Sequence, residues 1–146
     1  MYEFLKRVHP AASQDFSVGG RIAWAIHCYD VAWDAWEKGD IATAIITLRE
    51  GIYAFPFPKS LELLGECLLQ EGNLVEATIY FAAAIGMSEE VEFRPLFLLG
   101  KALATANDNY VSKIMLEKAI SIQQDQEAQE LLNEIKSRST SEEQAA

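Results

Sequence analysis

LELLGECLLQEGNLVEATIYFAAAI, residues 61–85, decides the fold. Its apolar residues recur at helical spacing on both sides of a central break, which predicts two short amphipathic helices joined by a turn. Gly72 stands where the first helix must stop, because glycine takes the left-handed conformation that closes a helix C-terminus. Asn73 then caps the second helix, with Glu76 three residues on to complete a capping box. Gly65 and Ala77 are small residues, one per helix, and permit the two to approach closely. A pair of this kind buries only one face and needs neighbours.

The neighbours are partial copies of the same stretch. Gly39 precedes Gly72 by 33 residues, and Asp40 follows it as the cap. At that offset Ala32 stands for Gly65, Ala44 for Ala77, Leu48 for Phe81 and Gly51 for Ala84, and Pro56 closes the copy. Downstream, FRPLFLLGKALATANDNYVSKIMLEKAI repeats the pattern with Gly100 placed 35 residues after Gly65. The connection before it is therefore expected to be slightly longer than the earlier one. Asn107 takes the turn glycine's place, since Asn also tolerates the left-handed region. Ser112, Leu116 and Ala119 stand for Ala77, Phe81 and Ala84. The Ser112 hydroxyl is expected to bond a backbone carbonyl one turn earlier in its own helix.

Around these copies the chain divides simply. Residues 1–20 form an N-terminal extension, with a turn or two of helix through Tyr2, Leu5 and Val8 that ends at His9-Pro10. A loop follows, in which Phe16 acts as a packing plug. The helical domain covers residues 21–138, with repeats at about 21–56, 57–90 and 91–122. The first helix, residues 21–38, carries Trp24, Trp33 and Trp36. Residues 123–138 place Ala128, Leu131, Leu132 and Ile135 on one side of a last helix that caps the apolar end. Residues 139–146 lack apolar periodicity and are expected to be disordered or frayed.

Composition narrows the class of work. Half of the 146 residues are apolar, enough for a core. The net charge of -10 opposes a nucleic-acid partner, which requires a concentrated basic surface. No apolar run reaches the length of a membrane span and the first residues do not read as a signal peptide, so the expected location is cytoplasmic, without membrane insertion. Cys28 and Cys67 lie in separate helical stretches and read as buried, reduced thiols. No metal or cofactor motif is present. His9 and His27 are isolated, and no nucleophile elbow, zinc-protease, P-loop or dinucleotide pattern appears. Glu62 and Glu66 share a helix face, but two carboxylates without a third ligand make a weak cation site. The expectation is that the chain is not an enzyme.

The spacing Leu61, Leu64, Gly65, Leu68, then Ala77, Phe81 and Ala84, with its copies, resembles the tetratricopeptide repeat (TPR) over residues 25–122. The resemblance implies an all-α fold of three helix-turn-helix repeats stacked as a short right-handed superhelix, with an N-terminal extension and a C-terminal capping helix. In that family the first helix of each repeat lines a concave groove for a peptide or helix of another protein. The groove positions carried onto this chain are Ile26, Tyr29, Trp33 and Trp36, then Lys59, Glu62, Glu66 and Leu69, then Arg94, Phe97 and Lys101. The basic and amide clamp with which some TPR proteins hold acidic chaperone tails is not matched, because Tyr29, Trp33, Leu63 and Leu98 stand at its positions beside Arg94.

The implied function is protein binding, as adaptor or chaperone, by a monomer or homodimer. A structural subunit of a larger assembly is the alternative, as is a chaperone similar to the small TPR chaperones of bacterial type III secretion. The Tyr29, Trp33 and Trp36 stripe itself admits three readings: a partner-binding surface, a core stripe, or a surface covered by the N-terminal segment.

Overall fold

The computed structural model describes residues 17–145, and among them the chain is entirely helical, in seven helices. They are α1 (Val18–Glu37), α2 (Ile41–Ala54), α3 (Pro58–Gln70), α4 (Leu74–Met87), α5 (Phe93–Thr105), α6 (Asn109–Ile122) and α7 (Gln126–Ala145). The expected helical turns at residues 2–8, the loop after them and the Phe16 plug lie outside the described residues. No described helix is long and apolar enough to cross a membrane.

Three turns are built alike, and each matches the stop signal read from the sequence. Gly39 and Gly72 both have φ near +79°, and Asn107 has φ of +62°. At each turn the next residue's N–H reaches back to close the helix: Asp40 to the Ala35 carbonyl, Asn73 to Leu68 and Asp108 to Leu103, all at 2.9 Å. This is the Schellman closure that satisfies carbonyls left over at a helix end. Asp40 then accepts from the Thr43 N–H and Asp108 from the Val111 N–H, both at 3.2 Å, capping α2 and α6. The hydrogen bonds from Thr43 hold the Asp40 carboxyl below its usual pKa.

The helix lengths repeat as well. α2, α4 and α6 each have 14 residues, and α3 and α5 each have 13. Residues 55–57 connect α2 to α3, and residues 88–92 connect α4 to α5. The two extra residues expected in the later connection are therefore found there, with the helices themselves unchanged.

The described residues form two compact units divided after Asn73. In the first, α1 packs along α2, α2 packs against α3, and α3 touches α1. Trp24 and Cys28 are buried together, with Val31 and Ala54 against them. Ala25, Ala32, Ala44 and Leu48 are buried too. Gly51 allows this closeness: a Cβ there would stand 2.7 Å from the Cys28 Cβ and 3.3 Å from the Ala25 carbonyl oxygen. Pro58 opens α3, and Ser60 donates its hydroxyl to the Phe57 carbonyl at 2.8 Å.

In the second unit α4 packs on α5, α5 on α6, and α6 on α7. Its core gathers Leu96, Phe97 and Ala104 of α5, Leu116 and Ala119 of α6, and Ala128, Leu132 and Ile135 of α7. Leu131 packs at the edge of that core and is only partly buried. Asp125 caps α7 by accepting from the Ala128 N–H at 2.9 Å. Two ion pairs fasten α7 from outside, Lys101 to Glu127 at 2.9 Å and Lys136 to Glu117 at 3.8 Å.

Two details depart from the sequence reading. The Ser112 hydroxyl does not bond within its own helix but crosses to the Gly100 carbonyl of α5, at 2.6 Å. The segment 139–145, expected to be disordered or frayed, continues α7 as helix to Ala145. There Ser139, Thr140 and Ser141 donate their hydroxyls to the carbonyls of Ile135, Lys136 and Ser137. Polar residues without an apolar face carry no signal for this continuation, which follows from the helix already running through Ile135.

Candidate functional site

The groove residues assigned to the first unit fall on α1 and α3. On α1, Tyr29, Trp33 and Trp36 form a continuous row, with ring centroids 6.2 Å apart from Tyr29 to Trp33 and 5.2 Å from Trp33 to Trp36. Their spacing of four and then three residues is what puts them on one helix face. The row is graded in depth. Trp33 is 40% exposed, whereas Tyr29 and Trp36 are half-buried. Ile26, one turn or so earlier on the same side, is 50% exposed. The Trp36 Nε1 is buried with no hydrogen-bond acceptor among the described residues.

Trp24 stands apart from this row. It is 5% exposed, in the core with Cys28, and its ring lies 5.6 Å from that of His27. The three tryptophans of α1 thus divide into one core residue and two that belong to the α1 row.

The far edge of the row meets α3. The Tyr29 ring sits 5.5 Å from that of Phe57 in an edge-on arrangement. Burial pushes the Tyr29 phenol's pKa up, Lys59 pulls it down, and Glu62, Asp30 and Glu66 push it up again. Tyr29 thus meets the start of α3 through Phe57 and feels the charges of Lys59, Glu62 and Glu66 on that helix. Glu62 and Glu66 are only 7% exposed, deeper than solvated groove carboxylates would be, and Lys59 lies 3.6 Å from Glu62. Buried carboxylates keep their charge only when neighbours compensate them. Leu69 is half-buried further along α3.

The residues expected to line a groove in the second unit lie on α5. Arg94 and Lys101 are exposed, but Phe97 is buried and belongs to the core with Leu132 and Ile135. Phe93 stacks on Phe97 with centroids 5.6 Å apart and planes within 7°. The Lys101 ammonium stands 5.7 Å from the Phe97 centroid while paired with Glu127. This site joins a ring, a cation and a carboxylate within the chain.

Phe57 and Phe93 were not among the residues assigned from the repeat pattern. Phe57 immediately precedes α3 and Phe93 opens α5, and Phe57 lay hidden in the proline-rich FPFP stretch read as punctuation. The available signal was an aromatic residue three or four positions before the first leucine of each helix, Leu61 in α3 and Leu96 in α5. Elsewhere, a cleft of about 630 Å³ is lined by the turn at Asn107 and by Ser139, Glu142 and Glu143 of α7. Among the described residues no three His, Cys, Asp or Glu side chains are gathered so as to hold a metal. No protein-family model matches the chain, and neither does any curated protein.

Proposed function

We propose that residues 21–122 are three TPR repeats in series, closed by a capping helix, and that the chain works as a protein-interaction module. On this reading it takes a peptide or helix of another protein on the face of α1 and α3 in its first unit, as an adaptor or chaperone. Equal helix lengths, three like turns and the small residues Gly51 and Gly100 at close helix approaches support the repeat assignment. The observation that carries the binding role is the row Tyr29, Trp33 and Trp36, whose middle ring is open to solvent while Trp24 alone serves the core. Exposed tryptophan is costly to leave in water and is among the residues that most often dominate interface energy.

The test is affinity capture from the native cell, followed by measurement with the purified partner. Trp33→Ala is expected to keep the fold and to weaken the partner by about thirtyfold, the equivalent of about 2 kcal/mol. Full binding by a folded Trp33→Ala chain places the recognition surface elsewhere.

A further inference from the structure

We infer that the aromatic face of α1 recognises a cationic segment, whose arginine or lysine side chains lie on Trp33 and pair with the carboxylates beside it. The inference rests on the interaction reading above and deepens it by giving the partner's chemistry.

The carboxylates are placed by the same helix as the ring. Asp30 lies three residues before Trp33 and Glu37 four after it, so both share its face, and both are exposed. Asp34 follows next to them and is exposed as well. Among the described residues Lys38 pairs with Asp34 at 2.6 Å, while Asp30 and Glu37 point to solvent beside the ring. The face is therefore aromatic and bordered by the exposed carboxylates of α1 itself.

That combination selects among partners. Tryptophan attracts a cation over its ring face more strongly than the other aromatic side chains do. A purely apolar segment would strip water from Asp30 and Glu37 without replacing it, and an acidic segment would be repelled. Only a segment with both apolar and cationic groups satisfies the ring and its border together. The second unit shows the same chemistry completed from within, where Lys101 stands over Phe97 and pairs with Glu127.

The experiment uses the full chain and three soluble peptides, titrated by calorimetry and tryptophan fluorescence. One alternates leucine with arginine, and the others carry citrulline or glutamate in place of arginine. The arginine peptide is expected to bind on the order of tenfold more tightly than the citrulline peptide, and the glutamate peptide not at all. Because a chain of net charge -10 attracts any cation at long range, two charge-matched variants separate the site from the general field. Asp30→Asn with Glu37→Gln should lose most of the preference for arginine over citrulline. Glu142→Gln with Glu143→Gln should keep it. Trp33→Leu, which retains an apolar side chain, should also lose it.

Equal loss in the two charge-matched variants would assign the preference to the general field and overturn the inference. So would equal binding of the citrulline and arginine peptides, although the face would still be an apolar interaction surface. Binding of no peptide overturns the cationic partner, while the interaction reading stands or falls separately on capture by Trp33→Ala. Self-association that Trp33→Leu abolishes, without peptide binding, gives the face to a second copy and overturns the inference as well.

Discussion

Ser112 on α6 donates its hydroxyl to the Gly100 carbonyl on α5 at 2.6 Å, joining the two small-residue positions of one helix pair. The contact exists because Gly100 has no side chain: a Cβ there would stand 2.8 Å from the Cγ and 2.9 Å from the Cδ2 of the buried Leu116. Gly100→Ala is therefore expected to destabilise the chain. Overpacking of about 1–3 kcal/mol outweighs the gain of up to about 1 kcal/mol from alanine's helix propensity. Ser112→Ala should cost less, about 0.5–1.5 kcal/mol for one buried hydrogen bond. Denaturant melts of both variants check the ranking, and a more stable Gly100→Ala chain would contradict the close approach.

The three like turns give a prediction of opposite signs. Gly72 has φ near +79° and Asn107 has φ of +62° in the equivalent place. Any residue with a Cβ is strained there, by about 1–2 kcal/mol. Gly72→Ala should lose an amount of that order, and Asn107→Gly should leave stability unchanged or raise it slightly. If Gly72→Ala melts with the parent chain, the turn does not hold the helix end as described.

Much of this fold was legible because its signals are local. Gly39, Gly72 and Asn107 mark helix ends by backbone conformation alone, and Asp40 and Asp108 cap the helices that follow by reaching an N–H three residues on. Side-chain partners were harder to read when they lay across a helix pair. Ser112 was expected to bond within its own helix, where serine usually finds a carbonyl, yet the close approach at Gly100 offers another at shorter reach. The candidate site was legible in part. Helical spacing put Tyr29, Trp33 and Trp36 in one row, but it could not tell that Trp24 would be the buried ring and Trp33 the open one. Nor could a family's groove positions show that Phe97 serves the core beneath Lys101.

α7 closes the second unit through Ala128, Leu132 and Ile135, all buried against α5 and α6. Ile135→Ala should cost about 2–5 kcal/mol, as for a large aliphatic side chain removed from a core. Truncation after Ile122 exposes Leu96, Leu116 and their neighbours, and should lower stability or cause self-association. Truncation after Ser139 removes residues that are exposed from 140 to 145 and should do neither. Equal melting of the two truncated chains would remove the capping role from α7.

The two thiols make stability depend on alkaline pH. Burial first, and then Glu50 beside it, pushes the Cys28 thiol from 9.0 to about 12; burial and then Glu66 do the same for Cys67. The folded chain keeps protons that the unfolded chain gives up, so stability is lost as pH rises above about 9 and levels off near 12. The slope is at most about 1.4 kcal/mol per pH unit for each thiol. Replacing both cysteines by alanine should flatten the fall between pH 9 and 11, whatever it does to the baseline. An unchanged slope would show that the thiols are not shielded in the native chain. Native-state alkylation at pH 8 should likewise be slow until the chain unfolds.

Trp24 and Trp33 lie nine residues apart on one helix and should respond in opposite ways to the same substitution. Trp24 is 5% exposed and packs on Cys28, Val31 and Ala54, so Trp24→Ala should cost about 3–5 kcal/mol of folding stability. That is a large share of the stability a domain of this size holds, and Trp24→Phe, which keeps a ring in the core, should lose less. Trp33 is 40% exposed and rests on its neighbours Tyr29 and Trp36. Trp33→Ala should leave the melt within about 1 kcal/mol of the parent, the value of one edge of ring contact, while removing the surface on which a partner would sit. Thermal and denaturant melts of the two variants decide the matter without any partner in hand. A Trp33→Ala chain that unfolds as readily as Trp24→Ala would make the whole stripe a core stripe, and the binding role proposed for α1 would fall with it.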